Sequence, residues 1–315
     1  MAEIKKKKFN DLGLETKTSS EGFRSLNKDG TFNVRKINIP FFEKLNFFHS
    51  LITMPWLRFI SLILLGYFIV NLLFASIYMA IGIEHLTGID GLSNFDKFIE
   101  AFFFSAQTVT TLGYGRVAPM GILANIISAI ESMLGLLTFA LATGLLYGRF
   151  SKPSGKIKYS TIAVIAPYQD INGFMFRILN PHDNQLLEVE VTLTISMRKE
   201  HSDLRVFHLL ELERSKILFM PYTWTVVHPI NKESPLYKLT QHDLFERDIE
   251  FIIVIKAFDE SFSQTVYSRS SYKASELKWG ERFIYLLNKE GNTVSVDVSK
   301  IDETEKVVLN DTVLK

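Results

Sequence analysis

Hydrophobic and polar positions change their spacing several times along the chain. Up to about Asn38 the residues are polar, mixing Lys, Ser, Thr and Gly with no sustained apolar period, which predicts a flexible tail over 1–39. In "PFFEKLNFFHSLITMPW" the apolar residues Phe41, Leu45, Phe48 and Ile52 recur at steps of four, three and four, with Glu43, Lys44, Asn46 and Ser50 between them. That spacing predicts a short amphipathic helix within 40–55. Just ahead of an apolar run, such a helix suits a membrane interface, and a surface helix on a soluble core is the alternative.

Two long apolar runs follow. Leu57 to Gly82 carries a charge only at Arg58, and Gly121 to Phe150 is interrupted in its interior only by Glu131. About 25 helical residues at about 1.5 Å each outreach a hydrocarbon core of about 30 Å, so both runs can cross a bilayer. Between them, Ser93 with Asp96 three residues on is an N-cap signal for a helix over 94–109, too short to cross. The predicted membrane domain spans 56–152.

From about Lys156 the period becomes two. Leu187, Val189, Val191, Leu193, Ile195 and Met197 alternate with Glu188, Glu190, Thr192, Thr194 and Ser196, as in a half-buried strand. "DIEFIIVIKAF" and "NTVSVDVS" add strand candidates, and turn clusters such as "NPHDN" separate them. A β-sandwich over 153–300 is expected, with a tail over 301–315.

Composition narrows the function. The chain is 47% hydrophobic with a mean hydropathy of +0.13, high for a wholly soluble protein. It has no Cys, so disulfides, thiolate metal sites and cysteine nucleophiles are excluded. A net charge of +1 gives no bias toward nucleic acid. The seven His lack HExxH-type spacing and no glycine-rich phosphate loop is present, so nothing supports an enzyme. Lys5 to Lys8 precede the first span and Arg149, Lys152, Lys156 and Lys158 follow the second, with only Lys97 and Arg116 between, which predicts a cell-membrane protein with both termini cytoplasmic.

"TVTTLGYGRVAP", residues 108–119, therefore falls at membrane depth. Irregular backbone is tolerated there only where protein buries it or where it lines a watery path. Gly113 and Gly115 can take left-handed conformations, so the carbonyls of Thr111, Leu112, Gly113 and Tyr114 can face one way and replace the hydration shell of a cation. Closing such oxygen cages takes four copies around one axis.

"TLGYG" resembles the potassium-channel filter. With the two-span frame, the stretches "MFRILNPHDNQLLEVEV", "HPINKESPLYKLT", "SFSQTVYSRSSY" and "LKWGERF" resemble the inward-rectifier potassium channel family, its prokaryotic branch in particular, over about Pro40 to Val298. The resemblance implies a fold class: a membrane α-helical two-span pore domain plus an all-β immunoglobulin-like cytoplasmic domain, assembled as a homotetramer. It implies a filter at Thr111, Leu112, Gly113, Tyr114 and Gly115, with K+ held at the first four. It implies a prokaryotic inner membrane, no cofactor beyond the permeant ion, and membrane lipids, anionic phospholipid among them, as partners.

Residue roles follow from the same resemblance. Ser132, Leu136, Phe139, Thr143 and Tyr147 share one helix face by their spacing, and the resemblance makes that face pore-lining. Phe139 stands where strongly rectifying relatives carry an acidic or amide residue that holds polyamines. Tyr147 aligns with the bulky residue at the helix-bundle crossing, where it would gate, packing near the membrane interface being the alternative. Gly135, Gly144 and Gly148 permit either bending or close helix contact, which the sequence does not separate, and Gly144 is the candidate hinge. Glu131 lies off the pore-facing stripe and is expected to face the helix before the filter. Gln107 replaces a Glu that pairs with a basic residue in many relatives, leaving Arg116 as an outer-mouth charge.

In the cytoplasmic domain, Glu188 aligns with a vestibule acid, and Lys256 occupies a position often acidic in relatives. Phe258, Asp259, Glu260, Ser261, Phe262 and Ser263 match a loop constriction of the cytoplasmic pore, an ordinary hairpin loop being the alternative. Arg58, Arg149, Lys152 and Lys156 are candidate lipid-headgroup ligands, and positive-inside anchoring explains the same charges. The leading expectation is a potassium-selective channel of inward-rectifier type. A nonselective cation pore and a membrane-anchored sensor with a vestigial pore are the alternatives.

Overall fold

The computed structural model describes residues 23–35, 37–38, 40, 46–151, 157–199, 204–220, 222–290 and 293–310. They fall into two units, Asn38–Lys152 and Met1–Ile37 with Pro153–Lys315.

The first unit is helical. Helix α1 (Phe47–Thr53) starts at Asn46, whose side-chain oxygen accepts from the His49 amide at 3.2 Å, and it stops ahead of Pro55. It is shorter than the 40–55 expected, and Phe41 and Leu45 lie outside the described residues. Helices α2 (Trp56–Ile81) and, further on, Gly121–Phe150 are long and apolar enough to cross a membrane. Only 17% and 11% of their apolar windows are buried by the chain itself, the reverse of a soluble core helix.

Strand β1 (Leu86–Thr87) leads to α3 (Asn94–Val109), and β2 (Ala118–Pro119) to α4 (Gly121–Phe150). A capping box opens α3: the Ser93 hydroxyl accepts from the Asp96 amide, and the Asp96 carboxylate accepts from the Ser93 amide, both at 3.1 Å. Its 16 residues reach about 24 Å, short of a full crossing. Phe74, Ala75 and Tyr78 of α2 pack against Ala101 and Phe104 of α3 with Leu86 and Val117. Helix α4 meets the end of α3 backbone to backbone at Gly135, where a Cβ would stand 2.1 Å from the Val109 carbonyl oxygen.

The second unit carries β3 (Lys158–Tyr159), β4 (Ala163–Tyr168), β5 (Ile171–Leu179), β6 (Leu186–Arg198), β7 (Arg205–Leu210), β8 (Lys216–Phe219) and β9 (Thr223–Pro229). After the short helix α5 (Gln241–Glu246) come β10 (Glu250–Asp259), β11 (Gln264–Lys273), β12 (Leu277–Trp279), β13 (Glu281–Phe283), β14 (Leu287–Glu290), β15 (Thr293–Val296) and β16 (Thr304–Lys306). One sheet runs β11-β10-β6-β7 with β8 also on β6, and the other β12-β4-β5-β3 with β9 also on β5. Their inner faces share one core, in which Phe174, Phe176 and Ile178 meet Val191, Leu193, Phe251 and Ile253. Phe174 stacks on Phe251 with ring centroids 4.1 Å apart.

A bulge interrupts β6. Lys256 pairs with Glu190 but Phe258 pairs with Leu187, and Glu188 takes φ +48°. Downstream of it Val189, Val191, Leu193, Ile195 and Met197 are buried as the alternation predicts, while upstream Leu186 faces the core in place of Leu187.

Both expected tails are shorter than the sequence suggested. Within 1–39, residues 23–33 pack on the sandwich: the Ser25 and Leu26 amides donate to the fully buried Glu250 carboxylate at 2.9–3.1 Å, and Arg24 pairs with Glu276 at 3.0 Å. Leu26 packs with Phe207 and Ile252, and Gly30 turns the chain at φ +81°, where a Cβ would come 2.7 Å from the Arg269 carbonyl oxygen. Residues 1–22 lie outside the described set. Within 301–315, Ile301 is buried, β16 pairs with β13, and the Asn310 amide donates to the Asn172 side chain at 3.0 Å. The polar composition of these segments concealed the contacts, because backbone amides and a few side chains make them.

Glu250→Ala removes the acceptor of two buried amides and is expected to free residues 23–33 for limited proteolysis, with a stability loss of about 1–3 kcal/mol. Burial alone would raise the Glu276 carboxyl, but hydrogen bonds from Arg24, the Lys273 amide and Lys28 more than reverse this and hold it below the usual 4.5. Its contribution to docking the segment is therefore complete above pH 4.5 and lost as pH falls further, read by the same proteolysis. Gly135→Ala, whose methyl would meet the Val109 carbonyl oxygen within the chain, is expected to unfold the helical unit, read as loss of the thermal transition, whereas Gly144→Ala, with no atom of the described residues of the chain within 4 Å of the new methyl, is expected to leave the fold of the single chain intact.

Candidate ion-conduction site

Helix α3 ends in a tightly bonded turn. The Thr111 amide donates to the Thr108 carbonyl at 3.0 Å, and the Gln107 carbonyl accepts from both Leu112 and Gly113, at 2.8 and 3.3 Å. Beyond the turn the backbone alternates: Thr111, Gly113 and Gly115 have φ of +60°, +54° and +82°, while Leu112 and Tyr114 stay at negative φ. Alternating hand aims successive peptide dipoles to one side instead of opposite sides as in a strand. Among the described residues of the single chain no atom lies within 4 Å of a Cβ built on Gly113 or Gly115, and their φ of +54° and +82° gives glycine a conformational role there. Thr111 was not expected at positive φ. A β-branched residue there stores about 1–3 kcal/mol of strain, a cost typical of functional backbone.

Two polar groupings flank this segment. Glu131 of α4 is fully buried and faces α3, as expected, accepting from the Tyr78 hydroxyl at 2.7 Å and from the Ser105 hydroxyl. Ser105 also lies 3.0 Å from the Asn71 side-chain oxygen, so α2, α3 and α4 meet in one hydrogen-bonded cluster. On the other side Arg116 does not stand as a lone charge: its guanidinium is 3.3 Å from the Glu100 carboxylate and 3.9 Å from Asp90. Nothing in local spacing marked Glu100 as a partner for Arg116.

On α4 the chain leaves Leu136, Phe139, Thr143 and Tyr147 exposed and Ser132 half-buried. The Thr143 hydroxyl donates to the Phe139 carbonyl at 2.9 Å.

Arg149 departs from the lipid-ligand expectation. Its guanidinium donates to the carbonyls of Leu51, Ile52 and Met54 at 2.5, 3.2 and 2.7 Å, and it lies over the Trp56 and Phe59 rings at 4.6 and 4.5 Å. It is committed to the carbonyls that end α1, which lack helical partners. Arg58 is exposed, and Lys152 and Lys156 lie outside the described residues.

In the sandwich, Glu188 is exposed but ion-paired to Lys216 at 3.1 Å, a partner the sequence did not reveal because β8 is separated from β6 along the chain. The expected loop 258–263 is shorter. Phe258 and Asp259 belong to β10, and Asp259 is fully buried, accepting from the Ser261 and Phe262 amides at 3.0 and 3.3 Å and from Asn184 at 2.7 Å. Asp259 thus braces the turn and does not line an aqueous path. Glu260, Ser261, Phe262 and Ser263 form the exposed hairpin turn, with Ser263 at φ +50°. Among the described residues no group of three or more acidic or His side chains is arranged to hold a metal ion.

Comparison with known proteins bears on both units. Residues 59–152 match the family model described as ion channel, and residues 157–315 the model described as inward rectifier potassium channel C-terminal domain. The chain is 35% identical over 270 residues to the inward rectifier potassium channel Kirbac3.1 of Paramagnetospirillum magnetotacticum, covering 83% of this chain and 88% of that protein. It is 27% identical over 309 residues to the G protein-activated inward rectifier potassium channel 2 of Mus musculus, covering 89% of this chain and 71% of that one. The human form of that channel gives the same identity over 309 residues, 72% of its length. With a helical hairpin around a left-handed glycine segment and a β-sandwich following it in the sequence, this chain belongs to the inward rectifier potassium channel family.

Proposed function

We infer that the chain conducts K+ across the cell membrane through a filter formed by Thr111 to Gly115. The alternating φ signs of that segment carry the reading, because they free its carbonyls from helix and sheet to coordinate a dehydrated ion. One chain supplies one wall of such a cage, so the conducting unit is a homotetramer. Ser132, Leu136, Phe139, Thr143 and Tyr147 then line the path, with Tyr147 the constriction at the helix-bundle crossing and Gly144 the point of bending. Their steps of four, three, four and four, which put all five on one face of α4, support this. Both termini lie in the cytoplasm. Glu188, Phe258 and the turn Glu260–Ser263 border a cytoplasmic pore formed by the sandwich units. Arg58, with Lys152 and Lys156, meets anionic lipid headgroups at the interface, while Arg149 locks α1 to the end of α4.

Barium-sensitive rubidium uptake into liposomes tests the conduction. Uptake is expected from the parent tetramer, and Gly113→Ala, which forces a side chain to φ +54°, is expected to lose at least about tenfold of it. A nonselective pore would instead give equal reversal potentials in potassium and sodium gradients. Phe139→Asp places a carboxylate on the path and is expected to increase spermine block, with unchanged block contradicting that position for residue 139.

A further inference from the structure

We propose that Glu100 is a positioning residue for the filter, fixing the chain that leaves it to the helix that leads into it. The proposal rests on the reading of 111–115 as the filter.

The entrance to that segment is held by backbone: the Gln107 carbonyl takes the Leu112 and Gly113 amides. The exit is held otherwise. The β1–β2 ladder begins only at Ala118, and Arg116 lies between Gly115 and that ladder. Its side chain turns back to Glu100 on α3, 3.3 Å away. The second oxygen of Glu100 accepts the Asp90 amide at 3.0 Å, so one carboxylate joins α3, the loop before it and the chain after the filter. That loop presses on the same residue, for a Cβ on Gly88 would stand 1.9 Å from the Arg116 carbonyl oxygen.

Electrostatics favours Glu100 over the other acid within reach. The Glu100 side chain is 20% exposed and Asp90 is 88% exposed, so the 3.9 Å approach of Asp90 is the more strongly screened. Gln107, on the turn itself, carries no charge to pair with Arg116. With Arg116 tied to Glu100, the angle at which the chain departs from Gly115 is set. A loose exit would let the carbonyl cage relax around a smaller, more strongly hydrated ion.

The test uses the full-length tetramer in liposomes, with the sodium-to-potassium permeability ratio taken from reversal potentials and assembly checked on native gels. Glu100→Gln and Arg116→Gln are each expected to raise the ratio about fivefold, the double variant no further than either single, and the exchange Glu100→Arg with Arg116→Glu to recover most of the selectivity. Parental selectivity in the single variants, additive loss in the double variant, or no recovery on exchange would overturn the proposal. Should a variant fail to assemble, Glu100→Asp, which keeps the charge and shortens the reach to Arg116, is measured in its place: a raised ratio is expected, and an unchanged ratio counts against the clamp. Gly113→Ala separates the two readings. If it spoils selectivity while the Glu100 variants do not, the clamp alone fails, and if it leaves selectivity intact the filter reading fails.

Discussion

A peptide carbonyl outside helix or sheet is expensive at membrane depth, and this chain carries a run of them between two membrane-length helices. The helical unit is organised around keeping that run in place. Helix α3 delivers it, the Gln107 carbonyl turns it, and three residues at positive φ keep it from closing into regular structure. The strain at Thr111 persists only because its surroundings over-determine it, with α4 pressed against the end of α3 at Gly135 and the Glu131 cluster locking three helices together behind. Ion coordination, in the proposed filter, is what compensates those carbonyls in the assembled channel.

The same rule of satisfying exposed backbone recurs away from that segment. Helix α1 ends at Thr53, and the carbonyls it leaves open are taken by Arg149 from the last turn of α4, so an apparent surface charge becomes a joint between two helices. In the sandwich unit the buried Glu250 carboxylate has the amides of Ser25 and Leu26 as its donors, and it recruits a polar segment that lacks an apolar face of its own. Asp259 does likewise for the turn after β10. In each case a charged side chain serves backbone groups and is withdrawn from the solvent-facing role its chemistry first suggests.

That pattern also explains what could be read from the sequence. Apolar length marked both spans, Ser93 with Asp96 marked the start of α3, and strict alternation marked β6, because those signals are local. The β6 alternation fails at Glu188, where the bulge shifts the register and hands the core position from Leu187 to Leu186. A single extra residue leaves no trace in a period of two until the partner strand is known. The irregular backbone after α3 was legible through its paired glycines, but Thr111 at positive φ was not, since a threonine signals the opposite preference. Glu100 with Arg116, Lys216 with Glu188 and Arg149 with α1 are pairs between elements distant in the chain, and nothing in their own neighbourhoods announces them.

The central claim is that the left-handed run after α3 holds dehydrated cations on its carbonyls. Anomalous diffraction from crystals of the tetramer grown in rubidium tests it most directly. The account predicts a column of rubidium peaks on the fourfold axis, each enclosed by carbonyl oxygens of Thr111 to Tyr114 from all four chains. An axis without rubidium at that level, in crystals that show rubidium elsewhere, would contradict it.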